Sequence, residues 1–292
     1  MRTWLSSRWA ARAWRAALGA VALSALAAAP PPAPAPPPAL ALGPPTVTYA
    51  DVASLVEASA VVAAVEVRQQ ALVEPARAPG LAPGHARLYL EARTLNLLWG
   101  RAGLGQEVAF LADVPLLANG KPPRLAKQTL LVFADSVPAR PGTLQLVAPD
   151  AFVSASAANE QLVRTIVAQF AAPGAPPRIK GVRDVMSVAG NLAGESETQL
   201  FVDTVSGAPV SLTVVRRPGQ APQWGVSWSE IVDQSARPPA PASVGWYRLA
   251  CSLPRELPAG AYLQAEAAAH ARAEADYRLV IAQLGECART RR

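Results

Sequence analysis

Residues Pro30 to Pro45 read PPPAPAPPPALALGPP, and no other stretch of the chain limits folding so sharply. Each proline removes a backbone donor and biases its predecessor toward extended geometry, so neither a helix nor a central strand can run through the tract. An extended, solvated spacer over 28–45 is the expectation. It separates a short leader from a body of about 245 residues, enough for one large core or two smaller ones.

The leader carries Arg2, Arg8, Arg12 and Arg15 and no acid, then the uncharged run Ala16 to Ala29. A basic start, a short apolar middle and a small-residue exit are the parts of a secretory signal. The run of about 14 residues falls short of the roughly 20 needed to span a bilayer, so a permanent anchor is disfavoured. Ala25-Leu26-Ala27 offers the small-x-small site, giving a signal peptide over 1–27. A mitochondrial presequence is the rival, but the apolar run is too compact for a simple amphipathic arm.

Export changes the charge argument. The net charge of +6 comes from 27 basic and 21 acidic side chains; losing the four leader arginines leaves 23 against 21, or +2. Nothing in that balance selects nucleic acid as a partner, and Arg216-Arg217 is a basic pair rather than a tract.

In the body, Tyr49 to Ser59 has helical spacing at Val52, Leu55 and Val56. Strand candidates follow at Ala60–Arg68, His85–Gly100, Gln106–Leu111, Thr129–Ala134 and Thr143–Val147, separated by Pro/Gly turns. Together they predict a small curled antiparallel sheet over 46–150, barrel-like and of the OB type.

Beyond it, Ser156 to Phe170 carries an apolar stripe behind a capping serine. Gln199–Val205, the alternation Val210, Leu212, Val214, and the alternation Trp224, Val226, Trp228 predict three strands. A fourth is expected over Gly245–Leu253, and a helix from Tyr262 to Leu284, ended by Gly285. The class is therefore α+β, with an antiparallel sheet packed with helices over 151–292.

Cys251 and Cys287 are the two cysteines of the chain. In an oxidising compartment such a pair is expected to bond. Their spacing fits neither a CxxC redox motif nor, with the scattered histidines, a four-ligand zinc set.

Chemistry is harder to find. No GxSxG, HExxH, phosphate-loop or dinucleotide fingerprint occurs. The histidines are His85 and His270; Glu266, His270 and Glu274 share a helical face, a spacing that ordinary surface ion pairs also produce. No cofactor or metal is expected. The most suspicious polar cluster is Gly190 to Thr198, GNLAGESET, where Glu195, Ser196 and Glu197 stand at a strand entrance. With Trp228 and Glu230 these make a candidate recognition loop; no catalytic residue is assigned, because a serine nucleophile needs a base within reach. Trp224 and Trp228 suit a sugar platform, yet their same-face spacing is also what a buried sheet face requires.

At Gly194–Thr204 (GESETQLFVDT), Tyr247-Arg-Leu-Ala-Cys251 and Leu284-Gly-Glu-Cys287 the chain resembles a set of uncharacterised exported proteins of sphingomonad-type alphaproteobacteria. The resemblance covers most of the chain after Tyr49. It implies a bacterial envelope setting and a Cys251–Cys287 pairing, and supplies no reaction. The functional expectation is a periplasmic or secreted, non-enzymatic module that binds an envelope protein or glycan. It has no permanent membrane span once the signal is cut. The alternative is a hydrolase or carbohydrate-processing enzyme using the 190–198 loop.

Overall fold

A computed structural model describes residues 47–100, 103–229 and 237–291. The segments expected as a signal peptide over 1–27 and a proline-rich spacer over 28–45, and Glu230, lie outside the described residues.

The body begins with α1, Tyr49–Ala58, started by a reciprocal cap. The Asp51 N–H donates to Thr48 Oγ1 at 3.1 Å and the Thr48 N–H to Asp51 Oδ2 at 3.4 Å. Next come β1 (Val61–Leu72), β2 (His85–Gly100), β3 (Glu107–Pro115), β4 (Thr129–Ser136), β5 (Leu144–Leu146) and β6 (Phe152–Ser154). They form one antiparallel six-stranded sheet in the order β3-β2-β1-β4-β5, with β6 also on β4. Helix α2, Ala157–Ala171, follows, and Ser156 Oγ caps it by accepting the Asn159 N–H at 3.2 Å.

The inward row Leu88, Leu90 and Ala92 of β2 joins β1 and β4, and Val52 and Val56 of α1 close over them with Val163 and Ile166 of α2. The chain beyond residue 150 thus continues in this first core through β6 and α2.

The expected OB-like barrel is not formed. Register shifts along β1 and β2 curl the sheet, but its outer strands meet through one parallel bridge, Ala109 with Thr143. The Asp113 N–H reaches Pro149 O at 2.7 Å nearby. Pro138, Pro141 and Pro149 surround β5 and leave it three residues long, too short to zip a ladder along β3.

The second sheet is a four-stranded antiparallel meander in the order β10-β9-β8-β7, made from β7 (Ile179–Ala189), β8 (Ser196–Thr204), β9 (Val210–Arg216) and β10 (Gln223–Ser227). Leu200, Val202, Leu212, Val214 and Trp224 on one face meet Ala273, Tyr277, Val280 and Leu284 of α4, Ala267–Leu284. Gly285, at φ 73°, ends α4 where an L side chain would be strained.

The segment expected as a strand over Gly245–Leu253 is instead helix α3, Val244–Ala250. Ser243 Oγ accepts the Trp246 N–H at 3.1 Å and starts it. The i, i+3 and i, i+5 placing of Val244, Tyr247 and Leu249 then buries all three. Tyr247 enters the first core and Leu249 the second, so α3 joins them.

Cys251 and Cys287 are bonded, with Cα atoms 5.1 Å apart. The bridge ties the end of α3, rather than of a strand, to the residues beyond α4.

Candidate functional site

The loop singled out in the sequence is the turn between β7 and β8, and most of its polarity is spent on itself. The Gly190 N–H donates to Glu195 O at 2.8 Å and the Glu195 N–H to Leu192 O at 3.0 Å. The Glu195 carboxylate folds back to accept the Leu192 N–H at 3.3 Å, and a Cβ at position 190 would overlap it. Glycine at 190 thus makes room for the clamp. Ser196 is buried as the first residue of β8, and Glu197 accepts from Gln199 Nε2 at 2.8 Å.

Trp228 does not join them. Ser196 pairs with Arg216, whereas Phe201 pairs with Ser211 and Ser211 with Ser227. Trp228 follows Ser227, so at the rise of an extended strand it lies roughly 20 Å along the sheet from Ser196. There it packs on the second core and lies close over Gly245, where a Cβ would stand 3.2 Å from Cζ2, a tight contact. Trp224 is buried and donates through Nε1 to Gln283 Oε1 at 2.7 Å.

Neither histidine serves the loop. His85 contacts Pro83 O at 3.1 Å on the first sheet. His270 stacks on Tyr262 with ring centroids 4.0 Å apart and contacts Gln264 O at 2.5 Å. Glu274 accepts from Tyr262 Oη at 3.1 Å. Among the described residues no group of three or more His, Cys, Asp or Glu side chains is placed to hold a metal.

Behind the loop lies a polar cluster that no motif in the sequence singles out. Asp276 of α4 is fully buried and accepts from Thr198 Oγ1 and from Arg216 Nε, each at 2.5 Å. Ser187 Oγ stands 2.8 Å from Thr198 Oγ1, and Arg272 Nη2 donates to Ser187 O at 3.2 Å. No buried side-chain atom of this cluster lacks a partner, as a buried network requires. It fixes the Arg216 guanidinium at the edge of the turn. The signal was available: Asp276 falls on the apolar stripe Ala269, Ala273, Tyr277, Val280, where a lone carboxylate must find partners.

Helix α4 covers one face of the second sheet. Alternation sends Met186, Glu197, Gln199, Thr213, Val215 and Arg217 to the other. On that side two adjoining hollows share Val215 and Arg217. One, of about 480 Å³, runs beneath the β7–β8 turn past Glu195, Glu197 and Arg216. The other, of about 400 Å³, runs past Thr213 and Gln223 to Arg237. The structure thus brings Glu195, Ser196 and Glu197 to one groove and supplies it with arginines.

Ionisation is perturbed elsewhere. Burial pushes the Tyr49 and Tyr277 phenols above their ordinary range, and each donates instead, to Gln169 Oε1 at 2.8 Å and Pro254 O at 2.6 Å. For Asp51, burial opposes ionisation, but hydrogen bonds from Thr290, Thr48 and Arg291 outweigh it and hold the carboxyl below its ordinary value.

Among the described residues no helix is long and apolar enough to cross a membrane. No protein-family model matches the chain, and no curated protein matches it in sequence.

Proposed function

We propose that this chain is an exported protein of the bacterial envelope that works as a non-enzymatic binding module, holding another macromolecule against the uncovered face of the second sheet. The observation that carries the reading is the pair of adjoining hollows on that face, with Glu197 on one side of Val215 and Arg217 beside it. Charges of both signs around an open groove select a partner by electrostatic complementarity rather than by apolar area alone. The Glu195 clamp and the pairing of Arg216 with buried Asp276 support the same reading, because they hold the groove in one shape before a partner arrives.

Export is supported by the basic, acid-free leader, by the Cys251–Cys287 bond, which suits an oxidising compartment, and by the resemblance to exported proteins. The mature protein is expected in the periplasmic fraction, starting at Ala28 by intact mass. Retention of residues 1–27 in a cytosolic product would overturn this placement.

The binding reading is tested with a photo-crosslinking residue at position 215 of the full chain, incubated with envelope fractions. A discrete adduct is expected, lost on Arg217→Glu and absent when the crosslinker sits at exposed Arg164 of α2. Equal labelling from both positions would overturn it.

A further inference from the structure

The open face of the second sheet has another hollow, at the end away from the β7–β8 turn. It measures about 240 Å³ and lies where β8 leads into β9. Strand register places Asp184, Phe201, Ser211 and Ser227 in one row across the sheet, with Asp203 two residues further along β8 on the same face. Phe201, Ser211 and Asp203 line the hollow.

Ser211 is the anomaly. It is 6% exposed, and its hydroxyl is the one buried side-chain group among the described residues that finds no hydrogen-bond partner. Folding has stripped water from this hydroxyl and given nothing back, a cost native proteins rarely carry without a reason. The neighbouring polar groups do not relieve it. Thr204 Oγ1 is spent on Ala208 O at 2.8 Å. Arg183 donates to Asp184 at 2.7 Å and approaches Asp203 at 4.0 Å, with its guanidinium carbon 5.9 Å from the Phe201 ring centroid.

The hollow therefore combines an apolar ring, an unspent hydroxyl able to donate and accept, a rim carboxylate and a rim guanidinium. Two carboxylates against one guanidinium disfavour an anion. The volume is below the roughly 300–1,000 Å³ of sites for drug-sized ligands, which suits one six-membered ring and not a longer ligand.

We propose that this hollow binds a single pyranose ring of a neutral glycan. Phe201 takes the apolar side of the ring, Ser211 turns its hydroxyl out of burial about χ1 to exchange hydrogen bonds with the ring's hydroxyls, and Asp203 and Arg183 hold those at the rim. The ring enters from the open face, so the rest of a polymer would run over the sheet. The proposal rests on that face being the binding surface, and names the class of ligand it takes.

The full mature chain is titrated with D-glucose, D-galactose and N-acetyl-D-glucosamine, following backbone amide shifts by NMR, with glucose 6-phosphate as the anionic control. At least one neutral sugar is expected to give saturable shifts at Phe201, Asp203 and Ser211, with weaker binding of the phosphate. Asp203→Asn and Phe201→Ala are each expected to weaken it about tenfold. Ser211→Ala separates a binding group from a packing flaw. It should raise the melting temperature of the free protein, since the orphan hydroxyl is gone, while weakening the sugar about tenfold. Ser211→Ala with unchanged sugar binding, or no saturable shift with any of the three sugars, would overturn the proposal. If the position-215 adduct forms and no sugar binds, this site fails and the reading of the face stands; if the adduct is also missing, both fail.

Discussion

Asp276 shows what one buried carboxylate commits a sheet to. Its side chain is fully hidden while that of Arg216 keeps 33% of its surface, so the pair is half dry and half wet. Removing the acid leaves Thr198 and Arg216 without their acceptor, and Asp276→Ala is expected to cost about 3 kcal/mol in urea unfolding, the low end for a broken buried pair because Arg216 can turn to water. Asp51 makes a pH prediction. A carboxyl held below its ordinary 3.8 stabilises the fold above that value, and the contribution is lost as pH falls through the lowered pKa. Asp51→Asn should therefore flatten the acid limb of the stability curve. The buried phenols act oppositely: raised above 10.0, Tyr49 and Tyr277 stabilise below that pH and lose the contribution as pH rises further. Phenolate absorbance should show these two titrating together with alkaline unfolding. Around the groove, the β7–β8 turn was legible from GESET, because glycine and acids ahead of an alternating run mark a strand entrance. Ser211 was not, since its solitude depends on what other strands bring near it.

The elements differ in how openly the chain declares them. Helices α2 and α4 are announced by Ser156 and Gly285, local devices that work whatever the tertiary context. Strand β7 is nearly silent: shifts between Ile179 and Gly181 and between Val182 and Asp184 reset its alternation, so its inward residues Ile179, Val182, Val185 and Ser187 fall at spacings of three, three and two. That rhythm is closer to a helix than to a strand. Helix α3 misleads the other way, because Trp246, Tyr247 and Val244 favour strands, while the Ser243 cap and burial between two cores make them helical. The barrel expectation failed for a related reason: five strands can be counted along a chain, but whether the outer strands β3 and β5 zip together depends on the prolines that shorten β5. At this scale the disulfide is the element tie, closing a separation of 36 residues. On loop entropy its reduction should cost about 4 kcal/mol, read as a lower urea midpoint under reducing conditions.

Across the whole molecule the two cores share α3 and a hydrogen-bonded hub beside it. Glu57 of α1 accepts from Tyr247 Oη at 3.2 Å and from Arg248 Nη1, Arg178 Nε lies 3.2 Å from it, and Arg248 Nε donates to Pro176 O at 3.0 Å. The Arg248 guanidinium also lies 5.1 Å from the Phe170 ring centroid. Such a hub makes the cores unfold together. Tryptophan fluorescence, dominated in the second half by Trp224, Trp228 and Trp246, and far-ultraviolet circular dichroism should give coincident urea transitions in the natural chain. In Arg248→Ala, which leaves Glu57 without its closest cation, the two probes are expected to separate. Asp51 also joins the two ends of the body. Its carboxylate caps the first helix of the body and also holds the Thr290 N–H at 2.9 Å, the Thr290 hydroxyl at 2.6 Å and the Arg291 N–H at 3.2 Å. A bond between residues 51 and 290 cannot exist until every peptide bond between them has been made, so in a growing chain the locally capped helix keeps its Asp51 carboxylate open to water until synthesis delivers the residues that complete its set of partners.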